Sequence, residues 1–396
     1  MIKRFLDLGM QPLANKYLKR PRKLDRKNNE VYHLEVMFNT KTKLVSLNKK
    51  IPVKKMFNNK YPYRSSMSKT MPKAFKKLSK NIIKRFKPKK ILEIGSNDGA
   101  LIQNFKKEKA VCVEPCGNLA KITKRKGFFT YSNYWNINFS KKIKRKFNFI
   151  DVIYSANTIT HIENLDNVFK AITNVLSKNG VLIIEDPSLL ECIKKVSYDQ
   201  FYNEHIYLFS AISLRNILKK FNLEIFDVEK LSTHGGSLRY FIKRKENKSI
   251  KITKRVLEQF KEEAKYKLHK YETYLNFKYK VKLSKTKLIR ILEKFKLHKK
   301  TVIGYGATAK VTTILNFCKI NKKLIEYFVD TTPDKKNKYV PGTNIIVKKY
   351  DKKLINASKY IFLGAWNFKN EIFKKERNFI RRGGKFITHV PYPRII

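Results

Sequence analysis

The sequence predicts an α/β fold built on mostly parallel sheets. Two observations predict it: strand-like and helix-like segments alternate between residues 75 and 187, and the alternation restarts at residue 301. Such alternation places helices on the faces of a parallel sheet. The chain has 396 residues, of which 42% are hydrophobic. That length suits roughly two to four domains with sizeable cores.

The first α/β unit begins with a helix at 74–86 and a strand at 90–94, followed by a glycine-containing loop and a further helix. Strands and a helix then follow in order, at 111–115, 149–157, 165–176 (the helix) and 180–187. The second unit has a strand and glycine loop at 301–310, a helix to about Cys318, a strand that ends at Asp330, and strands within 359–365 and 384–390.

These elements divide the chain into four parts. Residues 250–299 contain neither glycine nor proline and carry apolar residues at helical spacing, so they predict long packed helices. The predicted parts are a small N-terminal domain at 1–70, an α/β domain at 71–245, a helical connector at 246–299 and a second α/β domain at 300–396.

The net charge of +58 suggests a polyanionic partner, but its distribution argues against one. Basic residues recur along the whole chain, and 72 of the 89 are lysines, whereas readers of nucleic-acid bases favour arginine. We therefore interpret the charge mainly as composition and expect no nucleic-acid partner. A phosphate-bearing small substrate agrees with either interpretation.

Cysteine content and hydropathy favour a reduced cytoplasmic protein. The four cysteines form no CxxC pair, no apolar run approaches a membrane span, and the N-terminus turns polar too early for a signal peptide. We expect neither a membrane partner nor a disulfide framework.

The first glycine loop, ILEIGSNDGALIQNF, predicts a site for S-adenosylmethionine. Its glycines let a ligand approach the carboxyl end of a strand. Asp98 would repel a pyrophosphate but suits a positively charged amino-acid moiety, and Glu114 ends the next strand, where a carboxylate can bind ribose hydroxyls. A tight strand–helix turn without a ligand is the alternative. The predicted cofactor residues are Glu93, Gly95, Asn97, Asp98, Gly99, Glu114, Asn133 and Asn157.

Three of the seven histidines lie in contexts that suggest chemistry: His161, His205 and His234. His161 follows the end of a predicted strand, where catalytic loops lie in this architecture. Taken alone, each of the three fits a structural role better than a catalytic one. The other four, at positions 33, 269, 298 and 389, are interpreted as structural or surface residues.

Several stretches resemble the sugar C-methyltransferases of deoxysugar biosynthesis, in the same order from about Phe5 to the C-terminus. They include FLDLGMQPLAN, YPYRSS, LEIGSNDG, ANTITHIENL, FYNEHIYLFS, THGGSLRY, GYGATAK, NFC and VDTTPDKKNKYVPGT. The most similar type acts at the 3-carbon of a thymidine-diphosphate keto-sugar in the tetronitrose branch. The resemblance implies a Rossmann-like class I methyltransferase domain that binds S-adenosylmethionine, a C-terminal Rossmann-like domain and a small N-terminal domain.

The resemblance also implies the active-site residues. The side chains that surround the reacting carbon in that family map to Tyr61, Tyr202, Glu204, His205 and His161. A nucleotide-diphosphate sugar, favoured as dTDP-linked, would bind in the C-terminal domain and beside it. The implied substrate residues are Tyr63, His234, Gly235, Gly304, Tyr305, Gly306, Lys310, Asn316 and Asp330.

One feature of the family is missing. Its N-terminal domain holds a structural zinc on two CxxC pairs, but this chain begins too late for the first pair and carries Asn39 and Thr42 at the second. We therefore predict no zinc and no other metal.

Methylation of a carbon next to a ketone needs a base, and histidine titrates in a suitable range. The hypothesis assigns His205 as the base, Glu204 as the group that favours its charged form, and Tyr202 as a residue that places the sugar. His161 would donate to the developing enolate oxygen.

The second glycine loop supports a rival prediction. Gly304, Gly306 and Ala309 after a strand, with Asp330 ending the next strand, form a fair dinucleotide fingerprint. The first alternative is thus a nicotinamide-dependent oxidoreductase of nucleotide sugars. A non-enzymatic protein that binds polyanions through its basic surface is the second.

Overall fold

A computed structural model describes residues 1–21, 31–67 and 70–396. The N-terminal part is an antiparallel sheet, followed by a short helix. Its elements are β1 (Ile2–Pro12), β2 (Val31–Asn39), β3 (Val45–Leu47) and α1 (Val53–Met56).

The central part is a seven-stranded sheet with helices on both faces. Its elements are α2 (Thr70–Phe86), β4 (Ile91–Ile94), β5 (Ala110–Val113), α3 (Gly117–Arg125), β6 (Phe129–Tyr131), α4 (Ile137–Phe147), β7 (Ile150–Ala156), α5 (Leu165–Val175), β8 (Leu176–Pro187), α6 (Leu189–Lys195), β9 (Tyr207–Leu208), α7 (Ala211–Leu218), β10 (Leu223–Leu231) and β11 (Ser237–Arg244). The strand order is β6-β5-β4-β7-β8-β11-β10. Six of these strands run in one direction, and β11 runs in the opposite direction.

Two helices, α8 (Lys254–Lys265) and α9 (Tyr271–Leu297), lead to the C-terminal part. There the order is β14-β15-β13-β12-β16-β17-β18, with five parallel strands and an antiparallel strand at each edge. The elements are β12 (Val302–Tyr305), α10 (Ala309–Phe317), β13 (Tyr327–Asp330), β14 (Lys338–Tyr339), β15 (Ile346–Lys349), α11 (Lys352–Asn356), β16 (Tyr360–Leu363), α12 (Lys369–Lys375), α13 (Arg377–Arg381), β17 (Lys385–Thr388) and β18 (Arg394–Ile395).

Each parallel sheet reverses its direction of winding beside its first strand. In the central sheet the reversal lies between β4 and β7, and in the C-terminal sheet between β12 and β16. The loops after these strands part at that point, which leaves a crevice at the carboxyl edge where α/β sheets bind ligands. Both predicted glycine loops follow the first strand of such a pair.

The N-terminal sheet packs on the rest of the chain. The ring of Phe5 lies 4.9 Å from that of Tyr274 on α9, in a shared apolar core. The sheet also gains a fourth strand from the central part, because β9 pairs with β3 through Val45 and Leu208. The segment directly after His205 is therefore held by the N-terminal sheet.

One predicted element is wrong. We expected an α-helix after the first glycine loop, but only a short 3₁₀ turn, Ile102–Asn104, follows it. The side-chain amide of Asn104 donates to the carbonyls of Ala100 and Leu101 at 3.1 and 2.8 Å. The side chain of Asn104 thus competes for these carbonyls with the backbone amides of a further helical turn.

Within the described part of the chain, no helix is long and apolar enough to cross a membrane. The four cysteines are all buried and free.

Candidate active site

A cleft of about 580 Å³ opens where the N-terminal, central and C-terminal parts meet. The loop after β4 forms one wall and the loop after β12 forms the opposite wall. Tyr61 reaches the cleft from the N-terminal part. His161 and His205 lie between the two walls, and both line the cleft.

Gly95 shapes the wall after β4. Its φ is +73°, and a Cβ at this position would lie 2.1 Å from Thr158 Oγ1 in the loop after β7. Only glycine lets the two loops of the winding reversal come this close. The next turn is held by Asn97, whose amide donates to Glu114 Oε2 at 2.7 Å and whose Oδ1 accepts from the Ser65 amide at 2.9 Å.

Buried carboxyl groups line this wall. Burial raises the pKa of Glu93 well above its usual value, and the nearby Glu114 and Asp98 charges raise it further. Burial also raises the pKa of Glu114, although backbone amides of Asn97 and Cys116 bond to it. Glu93 Oε2 is buried and accepts no hydrogen bond within the described residues. Such a cluster fits a ligand that brings positive charge, as the ammonium and sulfonium groups of S-adenosylmethionine do.

His205 is oriented by two hydrogen bonds. Its Nδ1 lies 2.9 Å from the Gln200 carbonyl oxygen, which can only accept, so Nδ1 carries the proton. Nε2 is then an acceptor, and the Tyr202 hydroxyl donates to it at 2.6 Å. Burial, with the charges of His161 and Lys310, lowers the pKa of His205 well below its usual value. The imidazole is therefore neutral, with its lone pair on the side of Tyr202.

Our expectation for Glu204 needs correction. Its carboxylate oxygens bond to Asn15 Nδ2 at 2.7 Å and to the Tyr61 hydroxyl at 2.9 Å, both in the N-terminal part, and not to His205. Burial raises the pKa of Glu204 to about 7, against the two hydrogen bonds. Because the burial of His205 outweighs any distant charge, Glu204 does not hold it in the charged form.

The other two histidines lie close by. The His161 ring stacks on those of His205 and Phe57, with centroids 5.3 and 5.1 Å away. Burial lowers its pKa to about 3, and its buried Nε2 has no partner among the described residues. His234 lies 3.3 Å from the Asn157 amide nitrogen, and burial, followed by the Lys310 charge, lowers the pKa of His234 to about 3.

In the wall after β12 a glycine with a positive φ again allows two loops to pack closely. Gly306 has a φ of +83°, and a Cβ there would lie 2.4 Å from Ala365. Lys310 is 7% exposed and lies 5.4 Å from the Trp366 ring, and burial lowers its pKa. Asp330 accepts from the Thr332 amide at 2.8 Å and from Lys335 Nζ at 3.4 Å.

The structure brings most predicted site residues to the cleft wall: Tyr61, Tyr63, Glu93, Gly95, Asn97, Glu114, Asn133, Asn157, His161, Tyr202, His205, His234, Tyr305, Gly306, Lys310 and Asp330. Six lie behind it or elsewhere: Asp98, Gly99, Glu204, Gly235, Gly304 and Asn316.

Packing explains four of these exceptions. Asp98 accepts hydrogen bonds from the backbone and hydroxyl of Ser66, which cover it. A Cβ on Gly304 would lie 2.3 Å from the Phe328 ring, so this glycine serves sheet packing. Asn316 donates to the carbonyls of Thr312 and Pro341 at 2.7 and 3.0 Å. A Cβ on Gly235 would lie 2.2 Å from Trp366.

Three residues that contact the predicted site residues were not predicted from the sequence. Asn15 was visible only as part of a matched stretch, and nothing local marks it as a partner of Glu204. Gln200 acts through its backbone carbonyl, which carries no sequence signal. Phe57 stacks on His161 across the boundary between two parts of the chain.

Comparison with known proteins bears directly on this site. Residues 63–228 match the sequence profile of a methyltransferase domain, and residues 232–391 match that of a C-methyltransferase C-terminal domain. The C-methyltransferase NovU of Streptomyces niveus is 27% identical over 308 residues, which cover 77% of this chain and 73% of NovU.

Solved structures give weaker likenesses. A S-adenosylmethionine-dependent methyltransferase of Clostridium acetobutylicum ATCC 824 is 15% identical and covers 45% of this chain and 94% of its own, with a TM-score of 0.35. Magnesium protoporphyrin IX methyltransferase of Synechocystis PCC 6803 is 9% identical. The match covers 44% of this chain and 79% of that enzyme, with a TM-score of 0.32.

The profiles and the homologue, rather than these structures, decide the class. They give no support to the nicotinamide-dependent oxidoreductase. The central sheet with its glycine loop is the class I methyltransferase fold. The chain is an S-adenosylmethionine-dependent methyltransferase, homologous to a C-methyltransferase.

Proposed function

We propose that the enzyme methylates a carbon next to the ketone of a nucleotide-linked 4-keto-6-deoxyhexose, with a dTDP-linked sugar as the favoured substrate. One observation carries the proposal: a neutral histidine with an acceptor nitrogen, His205, lies in a cleft between the donor loop and a second Rossmann-like domain. Likeness to a C-methyltransferase supports transfer to carbon.

His205 and Tyr202 supply the base. The proton on the carbon alpha to the ketone passes to His205 Nε2, directly or through the Tyr202 oxygen, and the electron pair of the C–H bond becomes an enolate. The Nε2 lone pair is available because Nδ1 already holds its proton against the Gln200 carbonyl. His161, whose neutral ring stacks on His205, is placed to donate to the enolate oxygen.

Glu93, Gly95, Asn97 and Glu114 would hold S-adenosylmethionine. When bound, it supplies an electrophilic sulfonium methyl group, which the enolate carbon takes while the carbon–sulfur bond breaks. The cleft walls keep the sugar carbon beside that position, and the protonated His205 afterwards returns its proton to solvent.

The loop after β12 is proposed to bind the nucleotide diphosphate. Lys310 and Lys335 bring positive charge to this wall, and Asp330 ends the second strand, where a carboxylate can reach hydroxyl groups. Gly306 leaves room for close approach.

We also propose that the N-terminal part folds without zinc. At the positions of the family's second cysteine pair, Asn39 Oδ1 accepts the amides of Lys41 and Thr42 at 2.9 and 3.0 Å. These hydrogen bonds close the turn, and neither amide nor hydroxyl is a preferred zinc ligand. Elemental analysis of the purified protein should find no stoichiometric zinc.

Mass spectrometry tests the reaction. The protein is incubated with S-adenosylmethionine and a panel of dTDP- and UDP-linked 4-keto-6-deoxysugars. A sugar product heavier by one methylene supports the proposal, and exchange of the alpha proton in D₂O locates the carbon. If no panel member is converted although the donor binds, the proposed substrate class is wrong.

A further inference from the structure

A short 3₁₀ turn, Tyr198–Gln200, lies between His205 and the C-terminal domain, and we call it the 198–200 turn. All three of its side chains are buried. Tyr198 reaches the C-terminal domain, where its hydroxyl lies 3.7 Å from Cys318 Sγ. Gln200 faces the opposite way: its carbonyl accepts from His205 Nδ1, and its side-chain amide donates to the His234 carbonyl at 2.7 Å.

Asp199, in the middle of this turn, is a fully buried carboxylate. Its Oδ2 accepts from Trp366 Nε1 at 2.6 Å and lies 3.3 Å from His389 Nε2, both in the C-terminal domain. Burial opposes its charge, yet His389, Lys310 and Trp366 together hold the pKa of Asp199 below its usual value. A buried carboxylate is stable only with such partners, and all of these belong to the other domain.

Trp366 extends the contact to His234. Its ring lies so close to Gly235 that a Cβ there would come within 2.2 Å of it, and Gly235 directly follows His234. The same ring is 5.4 Å from Lys310 Nζ in the cleft wall. Through this one indole the C-terminal domain thus contacts both Asp199 in the 198–200 turn and Gly235 beside His234.

We propose that Asp199 is a positioning residue: by its hydrogen bond to Trp366 and its contact with His389 it fixes the 198–200 turn, so that the Gln200 carbonyl keeps the proton of His205 on Nδ1 and leaves Nε2 as the acceptor nitrogen. This inference rests on the proposed function for its catalytic meaning. On this proposal His205 can act as the base only when the C-terminal domain contacts the 198–200 turn. The reason is that the contacts with that domain and the tautomer of His205 both depend on this turn.

The test uses ¹⁵N-histidine NMR of the full chain, with the His205 signals assigned from their loss in His205→Gln. In the wild type, His205 should show the Nδ1-protonated neutral tautomer. Asp199→Asn keeps the shape but removes the charge, and we expect His205 to populate both tautomers. Trp366→Phe, which removes the N–H donor together with part of the indole ring, should cause a shift in the same direction.

Glu263→Gln is the matched control. Glu263 is another buried carboxylate, bonded to the Ala211 and Ile212 amides at 2.7 and 2.9 Å outside the cleft. S-adenosylhomocysteine affinity shows that each variant is folded. His205 signals that stay at their wild-type values in Asp199→Asn, or that change equally in the control, overturn the proposal.

Turnover adds a second readout. With a substrate that the wild type converts, Asp199→Asn should lower kcat on the order of 10²-fold, the cost of a misplaced catalytic group, while KM stays unchanged. A rise in KM alone overturns the assignment. If the wild type converts no keto-sugar, the proposed function fails, and the NMR result still decides the role of Asp199.

Discussion

The Tyr61 hydroxyl donates a hydrogen bond to Glu204 Oε2 at 2.9 Å, across 143 residues of sequence. Asn15 bonds to the other oxygen of the same carboxylate. Two side chains of the N-terminal part therefore bind the buried carboxyl group next to His205, and Tyr61 lines the cleft while its hydroxyl bonds to Glu204. Residues outside the strands of the small antiparallel sheet thus contribute to the wall of the cleft.

Tyr61→Phe should raise the pKa of Glu204 above its value of about 7. The variant removes a donor from the carboxylate, which weakens the ionised form. A hydrogen bond to a charged group contributes about 1.5–3 kcal/mol, or about one to two pH units. NMR titration of the glutamate carboxyl carbons measures the change. Tyr134→Phe removes a hydroxyl that bonds to a backbone carbonyl at 2.7 Å and is the control. An unshifted Glu204 in Tyr61→Phe contradicts the prediction.

His205→Asn should abolish methyl transfer, because loss of a positioned base costs about 10²–10⁴-fold in rate. The proposed donor site lies on the wall after β4, so affinity for S-adenosylhomocysteine, measured by calorimetry, should stay near the wild-type value. Substantial turnover in this variant would rule out His205 as the base.

Gly95→Ala should abolish donor binding. The new Cβ would lie 2.1 Å from Thr158 Oγ1, and the positive φ adds strain. Gly9→Ala is a matched control, since Gly9 has a φ of +72° and nothing within 4 Å of its Cβ position. The control should show only the backbone cost, roughly 1–2 kcal/mol of unfolding free energy, with donor affinity intact. Equal donor affinity in the two variants would contradict the assignment of Gly95.

Donor affinity should rise with pH across the range in which Glu93 and Glu114 ionise. Burial raises the pKa of both carboxyls in the free protein, and a cationic ligand favours their charged forms. Binding therefore lowers their pKa and releases protons, so acid weakens it. Calorimetry of S-adenosylmethionine in buffers of different ionisation enthalpy counts the protons. The Glu93→Gln variant should bind S-adenosylmethionine more weakly and release fewer protons on binding. A wild-type affinity that does not change with pH would contradict the prediction.

The strands and both glycine loops were predictable because their signals are local. Apolar segments predicted β4, β5, β7 and β8 in the central part and β12, β13, β16 and β17 in the C-terminal part, and the loop after each first strand stood out by its glycines. Local reasoning failed where a side chain competed with the backbone. At Asn104, amide bonds to two carbonyls left a 3₁₀ turn in place of a helix.

The sequence by itself indicated the fold class, the two glycine loops and most of the side chains that line the cleft. Only the tertiary structure decided which of them meet in one cleft, and in what state. Glu204 bonds to the N-terminal part, Asp98 is covered by Ser66, and Asn15 and the Gln200 carbonyl contact Glu204 and His205 although no motif marks them. The physical reason is that burial and hydrogen-bond partners, which set proton position and pKa, come from residues far apart in the chain.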